Sequence, residues 1–240
     1  MINHIIHSLK SKWAHTSSDR YIAYLKKHHV IIGDGVLFRN PKTIDIDLTR
    51  PSLIEIGNNA RFLDGFTILT HDFTTKVFLN LYDEFVPSSG KVVIGNNVYF
   101  ARKCTVLKGV TIGDNCIFGY GSTITKDIPA NFVAVGTPAK VICTVEEYYR
   151  RRCEKSIEEA FIYARSIKER YGRMPVIEDF WEEFPLFING NEIDKYPVHF
   201  QKTIQSQLES SFINWGKNHK APFRDFDEFI ERAFAETLQY

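Results

Sequence analysis

The 240-residue sequence contains no run of about 18 apolar residues, so no segment is predicted to span a bilayer. Its opening, MINHIIHSLKSKW, lacks a continuous apolar core and a small-residue cleavage site, and so does not read as a signal peptide. An excess of one charge is missing as well. Thirty Lys and Arg against 29 Asp and Glu leave a net charge of +1, which removes any bulk electrostatic reason to bind nucleic acid or an anionic membrane. The four cysteines, Cys104, Cys116, Cys143 and Cys153, form no CxxC pair, which argues against disulfides or thiolate metal sites and suits a reducing, cytoplasmic setting. Histidine is sparse through the middle of the chain, where His71 is the only one between His29 and His199. The remaining composition, 44% hydrophobic and 25% charged, is ordinary for a globular protein with a real core, in one large domain or two modest ones.

What the sequence does contain is a period. Ile94, Phe100, Val106, Ile112, Phe118 and Ile124 each follow the last by six residues. Four positions after them come Val98, Cys104, Val110, Cys116, Ser122 and Ile128, mostly small or β-branched. Ile56, Phe62 and Ile68 carry the same rhythm earlier, and Ile-Gly-Asn/Asp-Asn/Gly recurs at Ile32–Gly35, Ile56–Asn59, Ile94–Asn97 and Ile112–Asn115. A period of six fits neither the 3.6 of a helix nor the alternation of a hairpin sheet. It suits a short strand and a tight turn, repeated so that three units close one triangular coil. The residue at each repeat start points inward, and Gly or Asn follows to supply positive φ at the corner. Stacked coils then bury a core that no single coil could bury alone.

The stretch IGNNVYFARKCTVLKGVTIGDNCIFGYGSTITKDIPANFVAVGTPAKVI, closing on Gly136-Thr137-Pro138-Ala139-Lys140, resembles the hexapeptide-repeat acyltransferases. The nearest likeness is to the acetyl-CoA-dependent O-acetyltransferases of sugars and antibiotics, over roughly residues 54–143. That resemblance implies a mainly β fold, a left-handed parallel β-helix, whose hand opposes the usual right-handed crossover. It also implies a homotrimer with the coenzyme groove between subunits.

Residues 1–29 are expected to be a helical segment, with Ser18 and Asp19 capping a helix that carries Tyr21, Ile22, Tyr24 and Leu25. The β-helix domain is expected over 30–142. It is interrupted where the period fails, by a loop at 73–91 containing Phe78, Leu79, Leu81, Tyr82 and Phe85. A loop of that length in a compact fold is usually functional. Residues 143–240 read as a helical extension, with Glu146–Tyr171 as one long helix or two short ones and with Pro175 and Pro222 each opening another. This tail has no counterpart in the minimal family pattern.

His71, in Leu69-Thr70-His71-Asp72, lies just before the long loop, where the resembling family places its catalytic histidine. A sugar hydroxyl is a weak nucleophile at neutral pH, and a positioned imidazole that takes its proton accelerates attack by about 10²–10⁴-fold. The base needs a partner to fix its tautomer. Asp72 is taken as that catalytic partner, although neighbouring strand residues alternate in direction; Glu55, Asp64 or a backbone carbonyl would also serve. A backbone N–H near Phe100 or Ala101 is the expected oxyanion donor. By position in the family pattern, acetyl-CoA is expected against Ala101, Arg102, Tyr120, Ser122 and Thr125, with Lys126 and Lys140 near its phosphates. The sequence departs from the pattern in bulk: Tyr99-Phe100 stands where relatives often have Trp-Ile, Ala101 for glycine, Arg102 for a small residue and Tyr120 for alanine. No metal is expected, since the carbonic anhydrases of this fold need three histidines and the repeat region holds His71 alone. A nucleotidyltransferase would need a substantial N-terminal α/β domain, for which 1–29 is too short. The expected acceptor is saccharide-like, with aromatics such as Phe78, Tyr82, Trp181 and Trp215 suited to stacking on it. The alternatives are N-acetylation of an amino sugar and a non-catalytic trimeric scaffold whose tail binds a partner.

Overall fold

The structure, a computed structural model, describes residues 12–235 and divides at Tyr149/Arg150 into two compact units. Residues 1–11 of the expected N-terminal helical segment lie outside the described residues. Helix α1 spans Ser18–Lys27. Its cap is Ser17, one residue earlier than expected, whose side chain accepts the Arg20 N–H at 3.4 Å. The Ser18 hydroxyl is occupied elsewhere, accepting from the Phe38 N–H at 3.0 Å and tying the helix to the first coil.

Four coils follow, each contributing one short strand to each of three faces. They are β1–β3 (Ile31–Ile32, Leu37–Phe38, Asp45–Ile46), β4–β6 (Ile54–Ile56, Arg61–Phe62, Thr67–Ile68), β7–β9 (Val92–Ile94, Tyr99–Phe100, Thr105–Val106) and β10–β12 (Thr111–Ile112, Ile117–Phe118, Thr123–Ile124). Within a face every neighbour is parallel, in the orders β1-β4-β7-β10, β2-β5-β8-β11 and β3-β6-β9-β12. β13 (Phe132–Val135) extends the second face, and β14 (Lys140–Thr144) pairs with it antiparallel.

The inward residues are the ones the period selects. Phe38, Phe62, Phe100 and Phe118 stack through successive coils with ring centroids 4.7, 5.2 and 4.9 Å apart and nearly parallel planes. All four are buried. Cys104 and Cys116 are buried beside them, and burial pushes both thiols up, so they stay protonated packing groups. At the corners, Asn59, Asn97 and Asn115 hold φ of 56°, with Asn97 and Asn115 linked Nδ2 to Oδ1 at 2.9 Å. The glycine of the recurring tetrapeptide has a different reason from the one expected. Gly57 keeps negative φ, but a Cβ there would lie 2.7 Å from the Gly95 backbone, so close approach of stacked coils excludes a side chain.

Between β6 and β7 the chain leaves the coil. Register partners are 38 positions apart there (Phe62 to Phe100) against 18 in the next coil (Phe100 to Phe118), so the excursion adds twenty residues without disturbing the stack. It is partly helical where a loop was expected: α2 covers Thr75–Tyr82 and ends on Asp83 in the left-handed region, whose N–H bonds the Leu79 carbonyl.

Helix α3 (Val145–Tyr171) leads into the second unit, with α4 (Val198–Leu208), α5 (Phe212–Asn218) and α6 (Phe226–Ala235). Pro175 opens only a 3₁₀ turn at Ile177–Asp179, because the Asp179 carboxylate is tied back to Arg173 and the Val176 N–H. After Pro222 the helix waits until Phe226, where Asp225 caps by accepting the Glu228 N–H at 2.9 Å. This unit has its own core around Phe161, Phe180, Phe187, Phe200 and Phe229.

Phe100→Ala removes a ring that stacks on both sides. It is expected to destabilise the first unit by about 3–5 kcal/mol, read as a lower denaturation midpoint. A loss under about 1 kcal/mol would show that the ladder does not hold the coils.

Candidate active site

One corner of the β-helix collects the polar chemistry. The Asp47 N–H bonds the Ile68 carbonyl, Leu69 N–H bonds Val106, and Leu107 N–H bonds Ile124, each at 3.0 Å. Those bonds align Asp47-Leu48-Thr49, Leu69-Thr70-His71, Leu107-Lys108-Gly109 and Thr125-Lys126-Asp127 on successive coils.

His71 Nδ1 lies 2.5 Å from Asp47 Oδ2 and 3.1 Å from Thr49 Oγ1. Asp47 Oδ2 also accepts from Thr70 Oγ1 at 2.5 Å and the Thr70 N–H at 3.0 Å, while Oδ1 accepts from the Thr49 hydroxyl at 2.6 Å and its N–H at 3.0 Å. Burial pushes the Asp47 carboxyl up, but the bonds from Thr49, Thr70 and His71 outweigh it and hold the group well below the usual carboxylate range. Asp47 is therefore a carboxylate at neutral pH, and it fixes the Nδ1–H tautomer of His71. That leaves the Nε2 lone pair available, and Nε2 has no hydrogen-bond partner among the described residues. The imidazole side chain is 15% exposed and Asp47 6%, so the pair is screened from water with one edge open. Phe73, 72% exposed, meets the His71 ring edge-on at 5.2 Å.

The carboxylate on His71 is thus Asp47 and not Asp72. Asp72 turns the other way, as alternation along the chain allows, and accepts from Lys108, Thr74 and Ser88. The bond from Lys108, then those from Thr74, hold its carboxyl well below the usual range. Glu55 is 2.6 Å from Lys91, and Asp64 stands at the preceding corner beside Lys103. The Ala101 N–H is committed to the Phe118 carbonyl at 3.0 Å, which removes it as a ready oxyanion donor.

Ala101, Arg102 and Tyr120 meet at that preceding corner, where Gly121 N–H bonds the Arg102 carbonyl at 2.9 Å. Arg102 is exposed and Tyr120 is 66% exposed, with the Lys103 ammonium 5.8 Å from its ring. Ser122 is not with them. Its position is the small inward one, fully buried, and its hydroxyl donates to the Gly119 carbonyl at 2.7 Å. Thr125 and Lys126 are exposed at the His71 corner, and Lys140 is exposed at the start of β14. Trp215 is half-buried against the second unit's core, stacked on His219 at 4.2 Å and against Phe184 at 5.4 Å.

Residues 91–126 match the family model described as bacterial transferase hexapeptide (six repeats). That match covers the third and fourth coils, which stack with the two coils before them into the three parallel faces of a β-helix. Protein CapG of Staphylococcus aureus is 34% identical over 108 residues, 45% of this chain and 62% of that protein. The galactoside O-acetyltransferase of Escherichia coli K12 is 48% identical over 56 residues, 23% of this chain and 28% of that protein. The solved structure of a maltose O-acetyltransferase from Clostridium difficile 630 superposes on 57% of this chain and 83% of its own, at 23% identity and a TM-score of 0.41. The chain spans less than two thirds of the length of the curated relatives it matches.

Because the Asp47 pKa is lower folded than unfolded, its contribution to stability is present above about pH 4 and lost as pH falls below it. Asp47→Asn should lower the melting temperature at pH 7, and the gap from native should narrow progressively as pH falls from about 4 towards 2. A gap that stays constant across that window would show that the carboxylate is not held ionised by these bonds.

Proposed function

We propose that the first unit transfers an acetyl group from acetyl-CoA to a hydroxyl of a saccharide or related small molecule, with His71 as general base. The observation that carries this reading is the His71–Asp47 pair, with Nδ1 bound to a carboxylate and Nε2 left over. Nε2 takes the proton of the acceptor hydroxyl as its oxygen attacks the thioester carbonyl. Asp47 stabilises the imidazolium that forms. The C–S bond breaks as the new C–O ester bond is made, and the imidazolium gives its proton to the departing thiolate. The galactoside O-acetyltransferase among the relatives supports acetyl as the group moved and oxygen as the atom receiving it.

Acetyl-CoA needs cations for its phosphates and a groove for its arm. Lys126, at the same corner as His71, and Lys140 are exposed and suited to the phosphates as flexible point charges. Arg102 and Tyr120, both exposed at the neighbouring corner, suit the arm, and Arg102 can also pair a phosphate. The resemblance to trimeric family members supports a homotrimer that completes this groove.

Release of thiol from acetyl-CoA against a panel of saccharides and aminoglycoside or streptogramin-type antibiotics tests the activity. His71→Ala should cut kcat by about 10²–10⁴-fold on any acceptor that turns over. Undiminished turnover in the variant would overturn the mechanism, and silence across the panel the activity. Sedimentation should give a species of three 27.8 kDa chains, and a stable monomer would contradict the intersubunit groove.

A further inference from the structure

The excursion that carries α2 starts and ends at His71's own corner, and one lysine from the next coil holds both of its ends. At the neck, the Gly90 N–H bonds the Thr70 carbonyl at 2.9 Å, the Asp72 N–H bonds the Ser88 carbonyl at 3.3 Å, and His71 and Ser89 form an antiparallel bridge. Gly90 is seated directly on the next coil: a Cβ there would lie 2.6 Å from the Gly109 nitrogen. The Lys108 ammonium reaches across this neck, donating to Asp72 Oδ2 on the outgoing strand and to Ser88 Oγ on the returning one. Ser88 in turn donates to Asp72 Oδ2 at 3.2 Å.

We infer that Lys108 is a positioning residue for the reaction, clamping the excursion neck so that His71 stays in register with Asp47. This rests on the reading of His71 as general base. The two residues flanking His71 are pinned from opposite sides, Thr70 by Asp47 and Asp72 by Lys108. Side-chain exposure of 31% for Lys108 and 35% for Asp72 makes this a partly solvated ion pair, a class that adds little to global stability. Its consequence is geometric. A general base displaced by about 1 Å loses up to about 10²-fold in rate even when the fold is intact.

The test compares native protein, Lys108→Met and Lys108→Arg in the full chain, with amide hydrogen exchange and with thiol release from acetyl-CoA on an acceptor from the panel. Lys108→Met should keep its melting temperature within a few degrees while exchange speeds up at the Asp72 and Gly90 amides. Its kcat should fall about tenfold or more, with KM for acetyl-CoA changed less than about twofold. Lys108→Arg, which keeps the charge and both donors, should recover most of the loss. Ser88→Ala removes one arm of the clamp and should give a smaller loss in the same direction. Native-like kcat in Lys108→Met, beside an inactive His71→Ala, overturns the clamp and leaves the base intact. Exchange that rises equally throughout the coils overturns it too, by assigning Lys108 a structural role. Should His71→Ala itself prove fully active, the base reading fails, and exchange at Asp72 and Gly90 still decides whether Lys108 closes the neck.

Discussion

The parallel stacking of one coil on the next is the constraint on which the rest of the first unit depends. Its strands are two to five residues long, too short to persist alone, and each satisfies its backbone only by pairing with the coil before and after. Pairing at that distance leaves no room for a Cβ where Gly57 meets Gly95, and it lays Phe38, Phe62, Phe100 and Phe118 ring upon ring. A residue's place across coils is then set by its count from the nearest inward side chain. Distance along the chain hardly matters.

That rule explains how a twenty-residue excursion is tolerated. The neck closes within the corner, so the coils above and below keep their register, and the loop-closure cost grows only slowly with the length thrown out. The same rule gathers Asp47, Thr70, His71, Lys108 and Lys126 at one corner, although they span eighty positions of sequence. A carboxylate as buried as Asp47 is costly unless its lone pairs are filled, and here Thr49, Thr70 and His71 fill them. The bonds that compensate for burying Asp47 also orient the imidazole, so stability and site geometry are coupled at this point.

The second unit follows separate physics. Its aromatic residues pack on one another: Phe180 meets Phe187, Phe226 and Phe229 within 6.2 Å, and Trp215 is stacked on His219. Trp215 is therefore occupied in packing, whereas Trp181 remains 46% exposed. On the first unit the excursion carries three exposed aromatics, Phe73, Tyr82 and Phe85, of which Phe73 meets the His71 ring edge-on.

The β-helix was legible in the sequence because its period is a local property. Inward residues and small positions recur every six residues, as do the positive-φ corners Asn97, Lys103, Gly109, Asn115 and Gly121, and His71 stands where that period breaks. The partner of His71 was not legible, for a physical reason. In the first coil the 3₁₀ turn at Pro41–Thr43 stretches the spacing from Phe38 to Ile46 to eight residues, so Asp47 falls out of phase. Only the register of β3 on β6 brings it to His71, and alternation turns the adjacent Asp72 toward Lys108 instead. Ser122 shows the same limit in reverse, since its hydroxyl suits a ligand by chemistry but stacking directs it inward to Gly119. The sequence by itself determined the repeat, the fold it builds and the histidine. Tertiary structure alone decided which carboxylate that histidine meets, because side-chain direction and coil offset are set by stacking and leave no mark on sequence spacing.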